Sequence, residues 1–304
     1  MRVLDSHLHL WDPELLRYPW LEGPLNSPFA ETELEATRVK GVAEEQCVFI
    51  QADSVPEQYL DEVRWVSSLA ERLGIRAIVA GVQLDREGQS EADLDALREN
   101  SLVVGVRHLL QGEPDGFATT PRFLDGARHV ADRDLTFDAC VQSIPQLQDV
   151  VDLADAIPEL RIALDHLGKP VVGTAAAPEA PDPAWRTALT ALAAHPHVVC
   201  KLSGLPAEAG GDWSAEQLTP FLDAAAEAFG PDRLMWGSDW PVSAIGPAEP
   251  GETYAPADGS PTYQDAARTR WATTVADWAA SRGYDADAIL WRNAERFYRR
   301  SVPV

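Results

Sequence analysis

Val3-Leu4-Asp5-Ser6-His7-Leu8-His9-Leu10 reads as a short buried strand that ends in His-x-His. Side chains two apart on a strand point to the same side, so His7 and His9 share one face. Two imidazoles on one face at a strand's end form half of a metal site or of a proton-handling site. Two histidines that merely bracket a packed leucine would look the same. The rest of the chain decides between these readings.

Working outward, short and continuously apolar runs recur at 46–51, 77–82, 102–108, 135–141, 161–166, 197–203 and 233–239. Helical patterns separate them. They run over 32–38 (opened by a cap at Thr32), 56–73 (stopped by Gly74), 91–98, 121–131, 144–156, 182–194 and 214–229. Two more helices are expected near 263–281 and 286–298, after a Gly/Pro-rich loop at 244–261. Strands that are apolar throughout and alternate with helices belong to a parallel sheet covered on both faces. Eight such units in 304 residues predict a closed (β/α)8 TIM barrel with extra C-terminal helices. A Rossmann-type open sheet is the alternative, but no G-x-G-x-x-G follows any strand. No internal repeat or linker divides the chain, so residues 1–304 are expected to form one domain; the Ala/Pro stretch at 171–183 is expected to be a loop.

Composition excludes several classes of function. There are 48 acidic residues against 25 basic ones, a formal charge of −23, with no clustered Lys and Arg to hold phosphates. That argues against nucleic acid and against a polybasic membrane patch. No apolar run approaches the length of a membrane span, and no signal peptide fits the start, so a cytoplasmic protein is expected. Cys47, Cys140 and Cys200 each lie in a strand-like run. An odd number of widely spaced cysteines reads as reduced, buried thiols. A homodimer formed through the helices would be compatible with the acidic surface.

In a (β/α)8 barrel the chemistry stands at the C-terminal ends of the strands. Those ends carry His7 and His9, Arg107-His108, Asp165-His166 with Lys169 just beyond, Lys201 with Ser203, and Asp239 followed by Trp240-Pro241. Four of the seven histidines therefore fall at predicted strand C-termini. His195 and His197 form a second His-x-His, but they precede a strand and belong to the opposite face, while His129 lies within a helix. The loop after the first strand contains Arg17, Tyr18 and Trp20. It reads either as a wall over the mouth, where aromatic faces stack on sugar rings, or as an aromatic plug. Trp240 has the same two readings. No G-x-S-x-G elbow is present, which argues against a serine esterase.

The ordered set Asp5-Ser6-His7-Leu8-His9, Gly105-Val106-Arg107-His108, Leu164-Asp165-His166-Leu167-Gly168-Lys169-Pro170, Lys201-Leu202-Ser203-Gly204, Trp236-Gly237-Ser238-Asp239-Trp240-Pro241 and Asn293-Ala294-Glu295-Arg296-Phe297-Tyr298 resembles the amidohydrolase superfamily. More narrowly it resembles the branch of sugar and dicarboxylate lactonases, fuconolactonase-like and pyrone-dicarboxylate lactonase-like. The resemblance covers nearly the whole chain and implies a barrel hydrolase acting on a small-molecule lactone. Many binuclear members use a carboxylated lysine on strand four and a histidine on strand five. Here strand four ends in Arg107-His108 and strand five has no histidine, which argues against two metals. One divalent metal, zinc by its taste for N/O ligands, could be held by His7, His9 and Asp239, with His166 as a further ligand. Metal-free catalysis is the alternative, with cationic donors polarising the lactone carbonyl.

The expected mechanism has Asp239 as general base for the attacking water, with His108, His166 or Arg107 stabilising the developing oxyanion. Arg107, Lys169 and Lys201 would orient the substrate, with Arg17, Tyr18, Trp20 and Trp240 completing the binding surface. Two other readings stay open at this point: a metal-dependent decarboxylase of the same superfamily, and a non-catalytic binding barrel.

Overall fold

Eight parallel strands pair in strict chain order in the computed structural model, which describes residues 1–245 and 266–299. They are β1 (Arg2–Leu8), β2 (Glu44–Ile50), β3 (Ile75–Gly81), β4 (Val103–Arg107), β5 (Thr136–Ala139), β6 (Arg161–Leu164), β7 (Val198–Leu202) and β8 (Leu234–Trp236). The last strand returns to the first: Asp239 N–H donates to the His7 carbonyl at 2.8 Å, and His9 N–H to the Trp240 carbonyl at 2.8 Å. That closure excludes the open Rossmann-type sheet and gives a (β/α)8 barrel.

Around it run α1 (Glu31–Ala36), α2 (Tyr59–Leu73), α3 (Gln89–Arg98), α4 (Pro121–Asp132), α5 (Ile144–Ala156), α6 (Pro183–Ala193), the short α7 (Leu205–Glu208) and α8 (Ala215–Phe229). Beyond them come α9 (Ala267–Ser281), a π-turn at Ala288–Arg292 and α10 (Asn293–Phe297). Most of the expected 244–261 loop lies outside the described residues, as does the start of the helix expected from 263.

Two apolar layers follow from strand alternation. On β2, Cys47 and Phe49 pack outward against the helices, whereas Val48 and Ile50 point into the barrel. The interior cluster also takes Leu4, Val79, Ala163 and Met235, and is closed from below by Trp291, Ala294, Phe297 and Tyr298. The C-terminal helices are therefore the barrel's floor. Cys47, Cys140 and Cys200 are all buried and unpaired. Among the described residues no helix is long and apolar enough to cross a membrane.

Three local expectations are corrected. Thr32 does not cap α1; the Glu33 carboxylate instead accepts the Ala30 N–H at 3.0 Å, satisfying a donor at the helix start. Strands β6 and β8 stop earlier than their apolar runs suggest, because His166, Leu167 and Asp239 adopt φ of 53°, 54° and 55°. Left-handed backbone cannot continue a ladder. The helix expected over 286–298 is broken into the π-turn and α10.

Candidate active site

The site is assembled where β1, β4, β6 and β8 end. On β1, Leu4 points into the barrel, so simple alternation would turn His7 and His9 outward. The β1–β2 pairing shifts register between Asp5 and Leu8, which places both histidines on the inner side. Their Nε2 atoms come within 3.1 Å of each other. Room for this comes from two glycines. A Cβ at Gly237 would stand 2.7 Å from the His7 Cβ, and one at Gly204 would stand 2.6 Å from the His166 ring. Gly204 also has φ +72°, a conformation that L side chains rarely adopt.

Asp239 lies among three imidazoles. Its Oδ1 is 3.9 Å from His7 Nε2, 3.7 Å from His9 Nε2 and 3.7 Å from His166 Nε2. Its Oδ2 accepts the Ser243 hydroxyl at 2.8 Å, which fixes the carboxylate plane. Burial pushes this carboxyl up, and the facing imidazoles of His166, His9 and His7, when they carry protons, more than reverse it and hold it below the usual range. His166 moves the other way: burial lowers it to about 4 despite Asp239 and Asp165, so it is neutral. Its Nδ1 is paired with the Ser203 hydroxyl at 2.9 Å.

A buried ionic layer supports these groups from below. His7 Nδ1 lies 3.2 Å from Asp165 Oδ1 and 3.1 Å from Lys201 Nζ. Lys201 also pairs with Asp165 at 2.9 Å and with Asp138, and Asp138 accepts the Tyr298 hydroxyl at 2.8 Å. Arg107 reaches Asp165 at 3.3 Å and donates to the Gln51 carbonyl at 2.5 Å. Burial pushes Asp165 up, and Lys201, His7 and Arg107 more than reverse it, holding it well below the usual carboxylate range. For His7, burial dominates and lowers it well below the ordinary imidazole value. An unpaired charge would be costly at this depth, and here each has a partner.

The imidazole pair has a specific electrostatic demand. His9 Nδ1 faces the Ile50 carbonyl at 2.8 Å. A carbonyl only accepts, so Nδ1 carries the proton and His9 Nε2 presents a bare lone pair to His7 Nε2. A proton on His7 Nε2 or a cation between the rings must separate them. With Nδ1–H directed at Asp165, His7 Nε2 keeps its lone pair, approached by Arg107 Nη1 at 3.5 Å, in a carboxylate–histidine arrangement that orients metal-bound imidazoles. His7, His9 and Asp239 bring three donor atoms within 4.8 Å of one another, as do His7, Asp165 and His166. The first set spans 3.1 to 3.9 Å. That is close to the ~3.3 Å edge of a tetrahedron built on bonds of about 2.0–2.1 Å. The donor set fits a single divalent cation.

Above the imidazoles opens a cleft of ≈ 230 Å³. Among its walls are His9, Arg107, His166, Lys169 and Asp239, together with Trp20, whose indole N–H donates to the Ala52 carbonyl at 2.8 Å. Five other expected site residues lie elsewhere. His108 follows directly on Arg107, the last residue of β4, and its side chain faces the helices: Nδ1 accepts the Leu84 N–H at 3.1 Å, and the ring packs on Phe117 and Phe123. It does not reach the cleft. Lys201 is fully buried beneath His7, where substrate has no access. Trp240 is fully buried, edge-on to Phe29, and Trp11 packs on Phe29 and Trp20, so that aromatic group is a plug. Tyr18 is buried, beside Glu62. Arg17 is exposed outside the cleft, its backbone bonded to the Gln58 side chain.

Sequence reading missed Asp53, Gln111, Cys140 and Glu208 on the cleft wall and Asp138 below it, and it placed Asp165 at a strand end without giving it a role. Asp138 and Asp165 had a legible signal, since each is a carboxylate inside an apolar strand run. Asp53, Gln111 and Glu208 sit on loops or a four-residue helix and carried none. Outside the site, His129 pairs with Glu91 on the surface at 3.2 Å, and His195 pairs with Asp155 at 3.5 Å.

A family profile described as amidohydrolase matches residues 4–300 of this chain. An L-fucono-1,5-lactonase of Burkholderia ambifaria is 31% identical over 246 residues, covering 80% of this chain and 81% of the relative. An L-fucono-1,5-lactonase of Burkholderia multivorans is 33% identical over 259 residues, covering 80% and 83%. Among solved structures, an amidohydrolase from Burkholderia multivorans with bound zinc superposes with a TM-score of 0.77. It has 30% identity and covers 98% of this chain and 99% of its own.

Proposed function

The chain belongs to the amidohydrolase family, and on that premise we propose that it opens a sugar-derived lactone by water attack, with Asp239 as general base. The observation that carries this reading is the Asp239 carboxylate, bordering the cleft and ringed by the Nε2 atoms of three histidines. The relatives named as L-fucono-1,5-lactonases support the reaction class.

In this mechanism a water in the cleft adds to the lactone carbonyl carbon while Asp239 takes its proton. The carbonyl oxygen becomes an oxyanion, facing Arg107 and His166. Arg107 is prearranged by Asp165 and the Gln51 carbonyl, so its donors need not reorganise as charge develops. When Ser203 donates to His166 Nδ1, the His166 Nε2–H is left to donate into the cleft. The tetrahedral intermediate collapses by breaking the bond to the ring oxygen. Asp239 returns its proton to that alkoxide, and the product is an open-chain hydroxy acid. Lys169 and Trp20 bind the rest of the ring.

His7, His9 and Asp239 would hold one divalent cation, zinc in the first instance, with His166 adjacent. Such an ion would supply Lewis-acid polarisation and lower the pKa of a bound water. The steps assigned to Asp239, Arg107 and His166 stand on the chain's own groups.

The test is a panel of sugar lactones assayed for acid release, with dissolved CO₂ measured in parallel. It is run before and after chelator treatment, with metal content determined on the same sample. Acid release without CO₂ is expected, and zinc near one equivalent in the untreated protein. CO₂ as product would overturn the lactonase reading in favour of a decarboxylase. Absence of turnover on the whole panel would overturn it as well.

A further inference from the structure

The cleft wall contains polar groups that the hydrolytic steps do not use. We propose that Asp53 and Glu208 are specificity-determining residues that accept hydrogen bonds from substrate hydroxyls and turn away lactones bearing a carboxylate. The proposal rests on the lactonase reading above.

Asp53 follows β2, and Glu208 ends α7 beyond β7, so the two border the cleft from separate parts of the barrel rim. Asp53 is fixed in place. Its φ of 59° is a left-handed conformation, its N–H donates to the Gln51 side chain, and its carboxylate lies in the field of the Tyr59 hydroxyl. A carboxylate has about four lone-pair sites, so one turned to Tyr59 leaves others for the cleft. Glu208 stands at the rim, where burial pushes its carboxyl up and the neighbouring Lys169 opposes part of that rise.

The two cations on the wall are committed to other tasks. The Nη atoms of Arg107 each give one bond, to Asp165 and to the Gln51 carbonyl, and its remaining donors serve the reacting carbonyl in the mechanism above. Lys169 donates to Gln111 Oε1 at 2.6 Å. Asp53 and Glu208 put two carboxylates on the cleft wall apart from the His7, His9 and Asp239 donor set. An anionic substituent would meet like charge there, and its loss of water would not be repaid.

The rest of the wall suits a polyol. Gln111 Oε1 is taken by Lys169 and by the Cys140 thiol at 3.4 Å, so its amide NH₂ is the group left to donate. The Trp20 indole, anchored through its N–H to Ala52, presents an apolar face of the kind that stacks on the C–H side of a sugar ring. Carboxylate acceptors, an amide donor and an aromatic face together complement a neutral, polyhydroxylated lactone.

The test compares kcat/KM for L-fucono-1,5-lactone with that for δ-valerolactone, which has the ring but no hydroxyls. It uses the wild type, Asp53→Asn and Glu208→Gln. A site that reads hydroxyls loses its preference when an acceptor is weakened. The ratio of the two kcat/KM values is expected to fall fivefold or more in each variant. In parallel, a lactone carrying a free carboxylate should be opened faster by each variant than by the wild type. A smaller fall in the ratio for both variants overturns the assignment, with thermal melts confirming that they fold. A wild type that opens neither lactone instead sinks the lactonase reading itself, so the two failures are distinguishable.

Discussion

Replacing Glu62 with glutamine tests how the cleft wall is supported. Glu62 lies on the inner face of α2 with Val63, Val66, Ala70 and Leu73, and is fully buried. Its Oε1 accepts the Ala52 N–H at 3.2 Å, and Ala52 in turn holds the Trp20 indole. The carboxyl therefore anchors the loop behind Trp20. Burial, opposed by the Ala52 N–H, Tyr18 and Arg107, pushes it up to about 8 from an ordinary 4.5. The folded chain thus keeps a proton that the unfolded chain releases above pH 4.5. The unfolded state binds fewer protons in that window, so stability falls as pH rises from 4.5 to about 8 and then levels off. At about 1.36 kcal/mol per pH unit, the 2.5 units between 4.5 and 7 cost on the order of 3 kcal/mol.

Glu62→Gln keeps the shape and the acceptor for Ala52 but has nothing to ionise. Any fixed cost of housing the new NH₂ group is independent of pH, so the diagnostic quantity is the slope. Urea unfolding at a series of pH values should show the variant gaining on the wild type by ~3 kcal/mol between pH 5 and 8. Parallel stability profiles for the two proteins across that range would refute the assignment of a buried, neutral Glu62.

Three further outcomes are expected. Asp239→Asn should lower kcat on the best lactone by about 10²–10⁴-fold while the melting temperature moves by only a few degrees; a loss under tenfold would remove Asp239 as the base. His108→Asn keeps an acceptor for the Leu84 N–H, and kcat/KM should stay within about threefold of wild type. A hundredfold loss would return His108 to the site. Lys201→Met strands Asp138 as an uncompensated buried charge, while Asp165 keeps Arg107, and denaturant titration should show a loss of about 3–5 kcal/mol. Adding Asp138→Asn should recover part of that loss, and purely additive destabilisation would show that the two residues are not coupled.

Much of this protein could be read from its sequence because the signals are local. Continuous apolar runs separated by helical periodicity are enough to specify eight parallel strands and their closure. Placing chemistry at the strand C-termini then brings His9, Arg107, His166, Lys169 and Asp239 to the wall of one cleft, with His7 buried just beneath. His108 was legible too: neighbours on a strand face opposite ways, so Arg107 and His108 cannot both face the cleft. The buried carboxylate of Glu62 left a trace as well, since it falls on the apolar stripe of α2.

Only the tertiary structure decided the rest. Alternation counted from Leu4 puts His7 and His9 on the wrong face, and the register shift against β2, a relation between two strands, corrects it. Lys201 looked like a substrate ligand because a charge in a strand needs a partner. Which partner it finds depends on β5 and β6, whose Asp138 and Asp165 claim it beneath His7, with Tyr298 joining from the C-terminal end of the chain. Periodicity reports which face a residue occupies relative to its neighbours in sequence. The partners of a buried charge are set by groups dozens to hundreds of residues away, and only the closed barrel brings those groups within bonding distance.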